Sequence, residues 1–444
     1  MFEKVLIANR GEIALRVIRS CRERGLRTVA VHSEIDADAL HTRLADEAIC
    51  IGPADASRSY LHIPAIIAAA EITGADAVHP GYGFLSENPE FAETCAQCGL
   101  RFIGPLPEQI RQWGDKVSAR ALAKSLGLPT LEGTELVDDL EDAVRKAASL
   151  GFPVVLKAAS GGGGKGMHIL YSKEELLAVF EKARAESCAS FGNDALYFEK
   201  LIERPRHIEF QILGDEQGHI HVLGERECTI QRRHQKILEE APSVALSSEL
   251  RNDMSATIRR AMGEAGYLSA GTLEFLLSER GELTFLEMNP RIQVEHPVTE
   301  LVMGVDLIGE QIRVADGQPL ELPSHPLSPR GHAIECRINA EDPDTFMPSP
   351  GVITELHMAG GTGVRVDSGV YGGGRVPPHY DPLIAKLIVH APTRIRAIAK
   401  MQRALSETII GGIRTNIALH QRILAHPAFE EGRVSTRFLD ELQA

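Results

Sequence analysis

The chain has 444 residues, enough for about three domains at roughly 100–200 residues each. Its 43% apolar, 24% charged and 5% aromatic content is an ordinary globular balance and excludes disordered or collagen-like chains. Lys and Arg total 47 against 61 Asp and Glu, so the net charge of −14 has the wrong sign for a protein whose main partner is nucleic acid or an anionic membrane. No apolar run approaches the ~20 residues that span a bilayer, and Glu3, Lys4, Asn9, Arg10 and Glu12 interrupt any signal-peptide pattern. Seven scattered cysteines suit a reducing compartment, so a cytoplasmic location is expected. Cys95 and Cys98 form a C-x-x-C without a second pair, inside a helical pattern, and read as buried thiols.

In chain order, Val5 to Ala8 reads as a strand, Ile13, Ala14, Val17, Ile18 and Cys21 as one helix face ending at Gly25, and Thr28 to His32 as a second strand. Further strands at Ala77 to His79 and Arg101 to Ile103, with a helix near Ile63 to Ile72, predict a doubly wound parallel sheet. The first turn, Asn9-Arg10-Gly11-Glu12, has one glycine where a dinucleotide fingerprint has three, which disfavours a nicotinamide-dependent dehydrogenase. From about residue 115 to 325 the pattern becomes mixed α+β, with a hairpin of His207 to Leu213 and Ile220 to Arg226. Pro319 to Pro329 reads as a connector. After it, strands at Ala333 to Ile338, Ile353 to His357 and Leu383 to His390 and a helix over Arg394 to Thr408 predict an α+β C-terminal domain, and no internal repeat is present.

Between Val154 to Ser160 and Met167 to Tyr171, both strand-like, lie Gly161, Gly162, Gly163, Gly164, Lys165 and Gly166. Glycines let backbone N–H groups converge on an anion, and Lys157 and Lys165 add charge for phosphate oxygens. No Ser or Thr follows the lysine and the next helix starts only at a Ser172 to Glu175 capping box, so this is a flap between two strands and not a P-loop. The plain alternative for a glycine run is a surface hairpin.

A second signal follows from geometry. If Arg280-Gly281 is a two-residue turn, Glu274 stands opposite Glu287 with Cβ atoms ~5 Å apart on one face, while Leu273, Phe275, Leu277, Leu286 and Met288 face the core. Two like charges there need a proton or a cation, and with the amide oxygen of Asn289 they form a hard-oxygen site for magnesium. An extended chain carries Glu287, Asn289, Arg291, Gln293 and Glu295 along the same side, and Pro290 favours extension. Arg291 and Gln293 suit a small oxyanion, with Glu295 a base beside them. A structural row of ion pairs is the alternative.

These motifs, with Ile7 to Ala14, His79 to Asn88, Gln231 to Lys236, Glu287 to Pro297 and Glu335 to Glu341, resemble the biotin carboxylases of the ATP-grasp superfamily along essentially the whole chain. The resemblance implies a Rossmann-like pre-ATP-grasp N-terminal domain (1–114), a central ATP-grasp domain (115–325) with a mobile glycine-rich flap (about 131–203), and a biotin carboxylase C-terminal α+β domain (326–444). It implies that ATP phosphorylates bicarbonate to carboxyphosphate, whose carbon dioxide is transferred to N1′ of biotin. By motif, Lys116, Lys157, Gly161 to Gly166, His207, Gln231 and His234 would bind ATP, with Glu199, Lys200 and Ile202 at the adenine side. Glu274, Glu287 and Asn289 would hold two magnesium or manganese ions. Lys236, Arg291, Gln293 and Val294 would hold bicarbonate, Glu295 would deprotonate it, and Arg337 would stabilise the enolate-like form of biotin. Lys165 stands where arginine is common, and Asn289 precedes Pro290 where some members have threonine.

In this family biotin is attached at a lysine between methionines, whereas Ala399-Lys400-Met401 falls in a helical pattern, so Lys400 is expected on a helix surface. A separate biotin carboxyl carrier protein, carboxyltransferase subunits and a homodimer are the implied partners, as in multisubunit acetyl-CoA carboxylase. Another acyl-CoA carboxylase, another ATP-grasp ligase such as a carbamoyl-phosphate or purine-pathway enzyme, and a nucleotide-binding regulator remain as alternative readings.

Overall fold

The computed structural model describes residues 2–159, 166–233, 235–323 and 327–443, the side chains of Phe191 and Gln443 aside. Strands β1 (Lys4–Ile7), β2 (Arg27–Ser33), β3 (Glu47–Gly52), β4 (Ala77–His79) and β5 (Arg101–Phe102) form a parallel sheet in the order β3-β2-β1-β4-β5. Its central strand carries Val5, Leu6 and Ile7 fully buried, as expected where helices cover both faces. Edge strand β3 escapes the sequence reading because its side chains are mostly half-exposed. The turn after β1 is closed by protein: Asn9 Nδ2 donates to the carbonyls of Pro80 at 2.7 Å and Tyr82 at 2.8 Å. A Cβ on Gly81, whose φ is +64°, would lie 3.0 Å from that same amide, so glycine is required there. Cys95 is buried as expected, whereas Cys98, just past the end of helix Pro89–Gln97, is exposed because the helix stops and the chain turns outward.

Strands β6 (Val154–Ala158), β7 (Met167–Leu170) and β8 (Leu196–Lys200) make a small antiparallel sheet in the order β7-β6-β8. Val154, Leu156 and Ala158 bury one of its faces with residues of helices Leu140–Leu150 and Lys173–Phe191. The cap of the second helix differs from a simple box: Ser172 Oγ accepts from Glu175 N, but the Glu175 carboxylate reaches one residue further back, to Tyr171 N at 2.7 Å.

The largest sheet has eight strands. It draws on β9 (Arg206–Gly214), β10 (Ile220–Arg232), β11 (Gln235–Ala241), β12 (Ser269–Leu277), β13 (Leu283–Asn289) and β14 (His332–Asn339). After the short strands β15 (Gly351–Val352) and β16 (Glu355–His357) come β17 (Val364–Ser368), β18 (Arg375–Val376), β19 (Leu383–Ala391) and β20 (Ile409–Gly411). The order is β13-β12-β9-β10-β11-β14-β19-β17, so one sheet runs from the middle of the chain into its C-terminal third. The remaining pairs are β15 with β18 and β16 with β20. The connector after Pro319 has no regular structure among its described residues. Lys400 lies in helix Arg394–Glu407, half-buried, with Nζ donating to the carbonyls of His390 at 2.7 Å and Thr362 at 2.9 Å.

Period-two alternation gives the large sheet its two characters. In β9, Ile208, Phe210 and Ile212 face a core shared with Trp113, Ile258 and Met262, while His207, Glu209 and Gln211 face the opposite way. Phe275 is fully buried there, with Phe210 and Phe285 set edge-on at centroid separations of 5.7 and 5.9 Å. Phe275→Ala is expected to destabilise the protein by ~3–5 kcal/mol, read as a lower urea midpoint with little change in slope.

Candidate active site

The polar face of the large sheet places four residues in one row. Glu287 of β13 pairs with Glu274 of β12, Glu274 with Glu209 of β9, and Glu209 with Arg226 of β10. The Glu274 to Glu287 pairing is the expected one, but the turn is not. Near the turn Phe275 pairs with Phe285 and Leu277 with Leu283, around a longer loop closed by Ser278 N to Glu282 O at 3.0 Å. One extra residue on β13 then shifts the register between Phe275 and Glu274 and restores the carboxylate pairing. The same bulge corrects Leu286, which is half-buried and lines the cleft, while Leu283 and Phe285 take the core positions.

Carboxylates directly opposite one another repel, so the row depends on cations. Lys236 of β11 is the centre: its Nζ donates to Glu274 at 2.7 Å, to Glu295 at 2.7 Å and to Glu209. Burial opposes charge on this lysine, but the three carboxylates outweigh burial and hold the ammonium well above the usual lysine range. Arg226, with no exposed surface, bonds Glu209 and donates to Gln211, Thr299, Thr272 and Gln293 at 2.8 to 3.1 Å. Burial would raise the Glu274 carboxyl, yet Lys236 and His207, whose Nε2 lies 2.9 Å away, keep it well below the usual range.

Glu295 is shared between two cations, Lys236 at Oε1 and Arg337 Nη2 at Oε2, 2.9 Å away. Burial pushes its carboxyl up, but Lys236, Arg337 and Arg226 together bring it well below the carboxylate range, so it is ionised at neutral pH. Arg337 Nε is anchored on Glu239 at 2.6 Å. Glu239 itself is pushed up to about 7 by burial and the Glu295 charge, against the pull of Arg337. Opposite it in register, Glu335 is fully buried, and burial raises its carboxyl well above the usual range.

Beyond Asn289 the chain does not stay extended. Arg291 N bonds back to Asn289 O at 2.9 Å, and Glu295 sits at φ −82°, ψ 9° as the residue before helix His296–Met303. Arg291, Gln293 and Glu295 still line the cleft, now with half-buried Val294 between the last two, while Ile292 is buried in core. Arg291 is held by Glu87 at 3.2 Å and by Asn289 Oδ1 at 2.9 Å. Gln293 Nε2 donates to Glu274 at 2.8 Å.

Across the cleft, Lys157 bonds Glu199, which Arg120 also approaches at 3.3 Å, and Lys116 Nζ lies 3.0 Å from Glu287. His207 Nδ1 meets Gln231 Nε2 at 2.9 Å. Glu199, Lys200, Ile202, Lys116, Lys157, His207 and Gln231 all line the same cleft of about 1680 Å³, although Lys200 turns its ammonium onto the carbonyls of Gly151 and Leu150. Gly161 to Gly164, Lys165 and His234 lie outside the described residues; Gly166 is described, at φ +72°.

As a divalent-cation site, the Glu274 and Glu287 carboxylates supply paired hard oxygens beside the open cleft. Asn289 stands next to them but presents its amide nitrogen to Glu274, at 2.9 Å, because Arg291 occupies its oxygen. His207, Glu209 and Glu274 also bring ligand atoms within 4.8 Å of one another, but the Lys236 ammonium already bonds both carboxylates there.

Sequence reasoning missed Arg226, Glu239, Glu87, Arg120 and Glu209. The available signal was Glu225-Arg226-Glu227 inside an otherwise apolar run, since charges in a buried strand must be paired. Arg226→Met is expected to leave Glu209 buried without its guanidinium, to cost ~3–5 kcal/mol and to lower the thermal midpoint by several degrees. An unchanged midpoint contradicts this role.

The chain matches three family models: biotin carboxylase N-terminal domain over residues 1–110, carbamoyl-phosphate synthase L chain ATP-binding domain over 115–323, and biotin carboxylase C-terminal domain over 335–441. It is 54% identical to a biotin carboxylase of Haemophilus influenzae over 443 residues, covering 99% of each chain. It is 52% identical to one of the pyruvate carboxylase subunits of Methanothermobacter thermautotrophicus, over 99% of this chain and 90% of that one. The biotin carboxylase domain dimer of Hydrogenobacter thermophilus 2-oxoglutarate carboxylase, solved with MgADP, ADP and bicarbonate, superposes at a TM-score of 0.95 with 47% identity, covering 99% of this chain and 98% of that one. With its parallel N-terminal sheet, its antiparallel central sheet and this likeness over its full length, the chain belongs to the biotin carboxylase family.

Proposed function

We propose that this chain is the biotin carboxylase component of acetyl-CoA carboxylase, carboxylating biotin on a separate carrier protein with ATP and bicarbonate, the half-reaction that feeds malonyl-CoA and fatty acid synthesis. The observation that carries the reading is Glu295, one buried carboxylate shared by Lys236 and Arg337. It joins the side of the site that would activate bicarbonate to the side that would meet biotin.

In this reading Lys116, Lys157, Glu199, Lys200, Ile202, His207 and Gln231 bind ATP, as would Gly161 to Gly166 and His234. Magnesium or manganese at Glu274 and Glu287 would neutralise phosphate oxygens during transfer, with Asn289 as a further ligand once Arg291 releases its amide oxygen. Lys236, Arg291, Gln293 and Val294 hold bicarbonate against Glu295. Glu295 accepts the bicarbonate proton, the freed oxygen attacks the γ-phosphorus, and ADP leaves. Carboxyphosphate then yields carbon dioxide and phosphate; phosphate takes the N1′ proton of biotin, and Arg337 holds the enolate-like oxygen. Glu295 is a weak base while both cations hold it; a substrate oxygen that draws Arg337 or Lys236 away returns basicity to it when the proton must move. Excluding water protects carboxyphosphate.

The same reading sets the domain boundaries near 114/115 and 325/326 and makes 131–203 the flap subdomain. Its partners are a biotin carboxyl carrier protein, carboxyltransferase subunits and a second copy of the chain, in the cytoplasm. Among the described residues no helix is long and apolar enough to cross a membrane. A second acceptor, pyruvate, is favoured by one observation, the 52% identity to a component of pyruvate carboxylase.

Label from bicarbonate should enter free biotin only when ATP and magnesium are both present, and ATP hydrolysis should require bicarbonate and rise with biotin. Bicarbonate-dependent ATP hydrolysis indifferent to biotin would instead mark another carboxyphosphate-forming ligase. Glu295→Ala is expected to keep ATP binding and to lose ~10²-fold or more of bicarbonate-dependent turnover; near-normal turnover removes Glu295 from the base role.

A further inference from the structure

Lys386 has no exposed surface and belongs to no motif that led to the site. It lies on β19, opposite Arg337 of β14, and projects from the same sheet face. Its Nζ donates to the carbonyl oxygen of Val294 at 2.9 Å. A fully buried ammonium is costly unless it is paired, and here the counter-charges come from two other segments. Glu12, in the first turn of helix Gly11–Glu23, places Oε2 3.2 Å away, and Asp367 of β17 places Oδ2 at 3.9 Å. Asp367 is itself paired with Arg365 at 2.7 Å. The other oxygen of Glu12 accepts the Tyr82 hydroxyl, and the Tyr82 carbonyl is held by Asn9 at 2.8 Å.

The recipient of that ammonium is the informative part. Val294 lies between Gln293 and Glu295, in a turn that enters helix His296–Met303 with no side-chain cap. The carbonyl before it is already engaged, since His296 Nδ1 meets Gln293 O at 2.7 Å. Fixing the Val294 carbonyl fixes the plane of the peptide that also carries the Glu295 N–H. The turn is therefore held through the Val294 carbonyl while Gln293, Val294 and Glu295 line the cleft.

We propose that Lys386 is a positioning residue for the bicarbonate turn Gln293–Glu295, locked by Glu12 and Tyr82 of the N-terminal part. It touches no substrate; it sets the orientation of groups that do. This rests on the bicarbonate reading given above. The prediction is selective, because the nucleotide-facing residues Lys116, Lys157 and Glu199 bond elsewhere, to Glu287 and to one another, while His207 meets the turn at one remove, through Glu274, which Gln293 also bonds.

The test is steady-state kinetics of the full-length protein with free biotin, reading KM for bicarbonate, KM for ATP and kcat for Lys386→Met, Glu12→Gln and Arg291→Ala. Lys386→Met is expected to raise KM for bicarbonate about tenfold or more while KM for ATP stays within about twofold. Glu12→Gln keeps an acceptor for Tyr82 but removes the counter-charge, and is expected to move KM for bicarbonate the same way by a smaller factor. Parallel changes in both KM values, or none, would overturn the proposal. If Lys386→Met does not fold, Glu12→Gln decides, and an unchanged KM for bicarbonate overturns it. Arg291→Ala separates the two claims: if it leaves KM for bicarbonate unchanged, the bicarbonate site itself is misplaced; if it raises that KM while Lys386→Met does not, only the positioning role fails.

Discussion

Three carboxylates in adjacent strands, Glu287, Glu274 and Glu209, stand in one cross-strand row, and the polar half of the molecule is organised to make that row tolerable. Unneutralised, such a row would push the strands apart. Lys236 and Arg226 from one side and Lys116 from across the cleft supply the positive charge, and His207 of β9 sets its Nε2 2.9 Å from Glu274. The row that taxes the ligand-free protein is also the feature that suits it to phosphoryl transfer, because a polyphosphate with its divalent ions needs both carboxylates and ammonium groups within one small volume.

The same balance extends across the sheet. β11 and β14 bring Glu239 beside Glu335 and under Arg337, so the guanidinium is set by a buried acidic pair on one side and by Glu295 on the other. Because β14, β19 and β17 continue the sheet that starts with β13, the C-terminal third builds one wall of the site directly. The N-terminal part reaches it through Glu87 on Arg291 and through Glu12 on Lys386. All three parts of the chain thus touch the short segment from Asn289 to Glu295.

Much of this is legible in the sequence where neighbours in sequence are neighbours in space. The parallel N-terminal sheet follows from alternating strand and helix periods, and the Glu274 to Glu287 pair from a hairpin. That pair is reached through a two-residue turn that does not exist: a longer loop and a bulge offset one another, which hairpin counting cannot reveal, and which misplaces Leu286 in the core. Arg291, Gln293 and Glu295 fall on the cleft side although the extension stops at Asn289, because the turn after Pro290 brings them there by another path, with Val294 beside them. What stays hidden is long-range strand pairing. Glu239 meets Glu335 only once β11 and β14 pair across roughly a hundred residues, and even in the hairpin of β9 and β10 a register shift between Val222 and Glu225 sets Arg226 opposite Glu209. Apart from the glycine run with Lys157 and Lys165, the nucleotide-side residues come from resemblance, since a lone lysine or histidine carries no geometric signature of its own.

The central claim is electrostatic: Glu295 is an ionised, doubly held carboxylate whose basicity is suppressed until substrate loosens Lys236 or Arg337. Infrared difference spectra of the ligand-free protein across pH 4–8, assigned by subtraction of Glu295→Gln, test it directly. Burial opposes ionisation but the two cations prevail, so the folded carboxyl lies below its unfolded value and the Glu295 carboxylate band should persist unchanged through that range. A protonated-carboxyl band from Glu295 that titrates near neutrality would contradict the account.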